Sequence, residues 1–170
     1  MSLTTLVTFV EVFDIDASKK RRTIHTLQNA KREPSESVKS PNNTILFNGK
    51  NYHYLPFIYQ GTTISRSGDN IESNLIMGNH PLSMAKAQEA VVNSYFVEVN
   101  VCIVANNDID NVTNILTTDT WLAASLSYDP EVVEVLLSSA IDAVGVNLPS
   151  LVLTNEAVGK LPVTSDIQNR

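Results

Sequence analysis

The sequence predicts a mainly β protein, a small barrel or sandwich of about seven to eight strands with one short helix. Three observations carry that reading. An apolar run opens the chain with both alternating faces hydrophobic, an Asn-Gly pair sits between two β-rich stretches, and a later stretch alternates with period two. At 170 residues and 43% hydrophobic content, the chain can close one core of its own. A single β domain is therefore expected over 1–156, with an arm over 157–170.

In chain order, 6–15 places Leu6, Val10 and Val12 on one face and Val7, Phe9, Phe13 and Ile15 on the other. That pattern reads as a strand buried on both sides. Next, 16–41 loses periodicity and reads as a long exposed basic loop, with Lys19, Lys20, Arg21, Arg22, Lys31 and Arg32 followed by the polar stretch 33–37.

Ile45, Leu46 and Phe47 precede Asn48-Gly49, and Tyr52, Tyr54, Leu55, Phe57, Ile58 and Tyr59 follow it. Asn and Gly both accept positive φ, so this is a tight hairpin. A second strand pair, 62–66 with 71–77 around Ser67-Gly68-Asp69-Asn70, suggests a meander. Pro81 behind an Asn79 or His80 cap starts the helix, with Leu82, Met84, Ala85, Ala87, Ala90 and Val91. Tyr95, Val97, Val99, Val101 and Ile103 alternate with Glu98, Asn100 and Cys102, the period of a half-buried strand. After turn-rich 106–111, strands are expected at 115–126 and 132–138, joined by Tyr128-Asp129-Pro130-Glu131.

Composition narrows the function. The formal charge is −6, which argues against a domain-wide phosphate-binding footprint and so against sequence-specific nucleic-acid binding. No apolar run is long enough to span a bilayer, and the first residues lack the pattern of an export signal, so a soluble, unexported protein is expected. Cys102 is the single cysteine, which excludes an intrachain disulfide and makes a small core residue the simplest reading.

Catalytic constellations are sparse. His25, His53 and His80 have no common ligand spacing, so no metal is expected. Asn106, Asp108 and Asp110 have the alternate spacing of a calcium loop, but Asn111 and Thr117 stand where glycine and glutamate are needed. Asp129 and Glu131 could pair for acid–base work, yet such residues also mark an ordinary turn. The basic loop is more informative: six of the 12 Lys and Arg lie between Lys19 and Arg32 with no acid among them, leaving the rest of the chain at −12. That polarity suits a subunit contact, while a solvated loop or an anion site remains open.

Three patches resemble the minor tail protein L family of lambda-like phages and related small tail-tip and hub proteins. The first is Leu46-Phe47-Asn48-Gly49-Lys50-Asn51-Tyr52-His53-Tyr54-Leu55-Pro56-Phe57, similar to the family's aromatic hairpin. A second runs from Ile71 to Asn79. The third is Val135-Leu136-Leu137-Ser138-Ser139-Ala140-Ile141-Asp142, followed by Gly145 and Leu148-Pro149. The resemblance implies a virion protein stacked between the distal tail tube and the central hub, part of the DNA conduit and without enzymatic activity. Its partners would be those tail proteins and copies of itself in a trimeric or hexameric ring.

Members of that family carry a cysteine-rich C-terminal part holding an iron–sulfur cluster. With Cys102 alone, no cluster and no other cofactor is expected here. The arm would order against a neighbour or fray. The alternative is a β-sandwich module binding carbohydrate on Tyr52, Tyr54, Tyr59 or Trp121, though Trp121 fits a core position equally well. An enzyme using Asp129 or Asp142 is the third reading, and Asp142 more simply caps a turn.

Overall fold

The computed structural model describes residues 4–31, 43–61, 63–64, 71–105 and 114–139. Among them are ten strands and one helix, in the order β1 (Thr4–Ile15), β2 (Arg21–Gln28), β3 (Thr44–Phe47), β4 (Lys50–Tyr54), β5 (Phe57–Tyr59), β6 (Thr63–Ile64), β7 (Ile71–Gly78), α1 (Pro81–Val92), β8 (Phe96–Ala105), β9 (Asn114–Tyr128) and β10 (Val132–Ser138). The expected mainly β architecture is present. Nine strands run β3-β4-β2-β1-β8-β9-β10-β7-β5 in one mixed sheet, and β6 pairs β7 off that path. The sheet does not close into a barrel and fits a small β-sandwich.

Strand β1 lies inside the sheet, antiparallel to β2 on one side and to β8 on the other. Val10 and Val12 point into the larger core with Val97, Val99, Trp121, Ala123, Val133, Val135 and Leu137. Helix α1 covers this face with Ala87 and Ala90 buried. His80 caps the helix, its ring accepting from the Leu82 N–H, and Pro81 occupies the first turn where an N–H would have no intrahelical partner. Val7 and Phe9 point the other way, into a second cluster with Ile45, Phe47, Tyr52, Cys102 and Val104. Strand β1 is thus buried on both sides, as its double apolar pattern predicts.

Four expectations need correction. The exposed loop over 16–41 contains strand β2, whose inner end at Leu27 and Gln28 is buried. Propensity hid it, because its outer half is basic and polar. Nor is the strand order a meander: β4 pairs in parallel with β2, while β5 lies at the opposite end of the path. Strand β8 is not half-buried either, since Asn100, Cys102 and Val104 are covered along with Val97 and Val99. The alternation is real, but the β3–β4 hairpin covers the face that would otherwise meet water. Last, nine strands along one path and a tenth beside it exceed the expected count, because β2 is added and the run 52–59 is split at Leu55-Pro56 into β4 and β5.

The link between β4 and β5 is only Leu55-Pro56, so the chain steps across two residues from the strand next to one end of the sheet path to the strand at the other end. Leu55 donates its N–H to the Gln28 carbonyl at 2.9 Å, and Leu55, Phe57 and Leu27 share the larger core. Pro56 is exposed where the missing N–H costs no ladder bond. The sheet is therefore curled, with its two ends brought together at this link.

Candidate functional site

The most organised group of polar side chains crosses five adjacent strands on the hairpin-covered face. At its centre is Glu11 of β1, its side chain only 4% exposed. A carboxylate so placed is costly unless paired and hydrogen-bonded. Arg21 of β2 reaches its Oε2 at 2.8 Å, Lys50 of β4 reaches Oε1 at 2.5 Å, and the Thr23 hydroxyl donates to Oε1 at 2.6 Å. Directly opposite Glu11 on β8 stands Glu98. Two like charges facing across a ladder repel. Arg21 answers that repulsion by giving its other terminal nitrogen to Glu98 at 2.7 Å. Glu98 also accepts from Asn100, which accepts from Thr118 of β9 at 2.7 Å.

A local irregularity makes this possible. The β1–β2 register slips by one at Val12/Phe13, where His25 pairs Val12 but Thr23 pairs Phe13, so Ile24 is the extra residue. Because side chains alternate between faces, that one bulge turns Thr23 and Arg21 onto the face of Glu11 while His25 stays on the helix side. Arg21 also lies over the Phe13 ring, 3.7 Å from its centroid, and Phe13 stacks on Phe96. Beside this band, Phe9 stacks on Phe47 with centroids 4.3 Å apart and meets Tyr52 edge-on. The turn residues Asn48 and Gly49 have φ of 48° and 75°, the double positive φ expected of the hairpin that delivers Phe47 and Lys50.

Electrostatics follow from these contacts. Burial pushes the Glu11 carboxyl up, but the bonds from Lys50 and Thr23 and the charge of Arg21 outweigh it, and its pKa lies below the ordinary value. Glu98 is also lowered, first by the hydrogen bond from Arg21. The Tyr52 hydroxyl is pushed up by burial and by the neighbouring carboxylates. Cys102, fully buried, has its thiol pushed up to about 11 by desolvation, which makes it an inert core residue.

The residues singled out in the sequence fall into several groups. Arg21 is committed to Glu11 and Glu98, and Arg22 pairs with Asp14 at 3.4 Å, so these two basic residues already have partners within the chain. Lys19 and Lys20 are exposed on the β1–β2 turn, and Lys31 is exposed beyond β2. Tyr52 and Trp121 are 2% and 4% exposed and cannot form a stacking platform. Tyr59 is turned inward as well: its hydroxyl accepts from the Trp121 indole at 3.0 Å and donates to Asp119 at 3.1 Å. Tyr54 is half-buried in β4. Asp129 accepts from the N–H groups of Glu131 and Val132, both at 2.7 Å, so it shapes the β9–β10 turn. Arg32, Asp142, Pro149, the turns at 67–70 and 106–111 and the arm 157–170 lie outside the described residues.

Glu11 was missed by sequence reasoning, and a signal for it existed. One glutamate within a strand apolar on both faces must find a cation, and the nearest basic residues in sequence are those at 19–22. Lys50 could not be found so easily, because its place depends on the hairpin folding back over β1.

No known family model matches the chain. No characterised protein matches it in sequence either.

Proposed function

We propose that the chain is a structural subunit of a phage tail tip or baseplate, joining the distal tail tube to the central hub and forming part of the DNA conduit. The observation that carries this reading is the charge band. Glu11, Glu98, Arg21 and Lys50 neutralise one another across β4, β2, β1 and β8. Such a band ties strands together and leaves no charge of the set over for a substrate.

Two further features support a role in assembly. Asn48, Gly49, Tyr52, Tyr54 and Pro56, the residues of the family-like patch, form the hairpin and the link that joins the sheet's ends. On the surface, Lys19 and Lys20 sit at an exposed turn of an otherwise acidic chain, where an opposite patch on a neighbour would fix register.

The test is light scattering after size-exclusion chromatography at low and high salt, with and without the hub protein encoded alongside. Expected are rings or a hub complex that weaken as salt screens exposed charge. Replacing Lys19 and Lys20 together by Ser should shift the assembly toward monomer. A monomer indifferent to the hub at every salt concentration overturns the reading.

A further inference from the structure

On the helix side of β2, away from the charge band, three side chains form a chain of contacts that the assembly reading does not use. Lys86 and Glu89 lie one turn apart on α1, and His25 faces them from β2. The His25 Nε2 is 2.8 Å from the Glu89 Oε2, and the Lys86 Nζ is 3.0 Å from the His25 Nδ1.

With Nδ1 as the accepting nitrogen, the Lys86 amine donates an N–H to it, whether or not the amine is protonated. Nε2 then carries the hydrogen and donates to the carboxylate. One tautomer satisfies both bonds. The order is carboxylate, imidazole, amine: a group that orients the base, a base, and a nucleophile within its reach. A simple structural tie between helix and strand would need only Glu89 and His25. Here the imidazole's second nitrogen is given to the amine.

The surroundings ease loss of a proton from the amine. Lys86 lines a small apolar cavity under the helix with Val12, Leu27, Met77, Ala90 and Leu137. Desolvation there lowers its pKa, against a weaker opposing pull from Glu89. The cluster also meets solvent, since the Glu89 side chain is 44% exposed and that of His25 17%.

We infer that Lys86 is a single-use acylation site, taking the acyl group of an activated thioester with His25 as the base that Glu89 orients. The Nζ lone pair attacks the thioester carbonyl carbon, the C–N bond forms and the C–S bond breaks. The proton lost from nitrogen passes to His25 Nδ1 and from there to the departing thiolate. The product is an amide and a free thiol. Because an amide is stable in water, the reaction stops after one turnover and acts as a modification rather than as catalysis. It leaves Lys86 as an amide that can no longer take up a proton at the contact between α1 and β2. The inference is independent of the assembly reading.

The experiment treats the full chain with a limiting amount of a small acetyl thioester and follows each lysine by peptide mapping and mass spectrometry. Lys86 is expected to acetylate at least about tenfold faster than exposed Lys19 and Lys20, since an amine that gives up its proton more readily beside a base is the better nucleophile. His25→Gln should bring Lys86 down to the rate of those two while leaving theirs unchanged, with circular dichroism confirming the fold. Glu89→Gln, at an exposed position, should slow Lys86 severalfold and serves as the second variant if the first does not fold. A wild-type Lys86 no faster than Lys19 and Lys20 overturns the inference. So does a fast Lys86 whose rate ignores both substitutions.

Discussion

The two faces of β1 are buried by different means. Toward the helix, Val10 and Val12 meet valines, alanines, leucines and Trp121 across the sheet, an apolar interface of ordinary kind. Toward the β3–β4 hairpin, the same strand presents Val7 and Phe9, then Glu11, then Phe13, so aromatic packing gives way within two residues to an ion network. The first face derives its stability from area removed from water and tolerates volume-conserving exchange. The second depends on specific partners, because a buried carboxylate stabilises only while every contact is made. One strand therefore combines a tolerant surface and an exacting one.

The largest expected effect is on the aromatic part of the exacting face. Phe9→Ala removes a fully buried ring stacked on Phe47 and edge-on to Tyr52, and should cost about 3–5 kcal/mol in urea denaturation. If the cost instead falls below that of Val10→Ala on the opposite side, the hairpin does not seal that face.

Next comes Glu11→Gln, which keeps the shape and removes the charge that Arg21 and Lys50 hold. It should cost about 2 kcal/mol near neutral pH. Its pH dependence carries a definite sign. Glu11 and Glu98 have folded pKa values below their ordinary 4.5, so the unfolded chain binds protons first as pH falls. Their stabilisation is fully present above about pH 5 and is lost as pH drops through the folded values. Between about pH 5 and pH 3 the wild type should lose more stability than Glu11→Gln, read as converging denaturation midpoints. Parallel curves would remove Glu11 from the acid response.

Smallest is Gly49→Ala. No atom lies within 4 Å of the added Cβ, so the cost is conformational alone, from φ of +75°. About 1 kcal/mol is expected, with the hairpin and the Lys50–Glu11 contact retained.

How much of this was legible in the sequence follows the same division. The apolar face of β1, the alternation in β8, the Asn48-Gly49 turn and the Pro81 start of α1 are all written in local pattern, and each is found in place. Strand β2 is not, since Arg21 to Ile24 carry no apolar alternation and are held by partners on β1 and β8. The charge band was hidden for a further reason. Whether Arg21 faces Glu11 or the helix depends on a one-residue slip at Ile24, and the sequence bears no glycine or proline there to mark it. Likewise, Lys86 and Glu89 are a common helical spacing until His25, some sixty positions earlier, is brought against them.

The two-residue step at Leu55-Pro56 has a consequence for how the chain reaches this shape. Tyr54 and Phe57 are three Cα steps apart, at most about 11 Å, yet β4 stands next to one end of the sheet path and β5 at the other. That path also joins β1 to β8 across most of the chain. The β3–β4 hairpin can zip locally through Asn48-Gly49, but its seating on β2 and the β1–β8 pairing cannot. Leu55 meets Gln28 on one side of the step and Phe57 meets Met77 on the other, so two residues clasp the β2 side of the sheet to the β7 side. Pairings between strands so far apart in the chain, β1 with β8 above all, make folding slow for the chain's length.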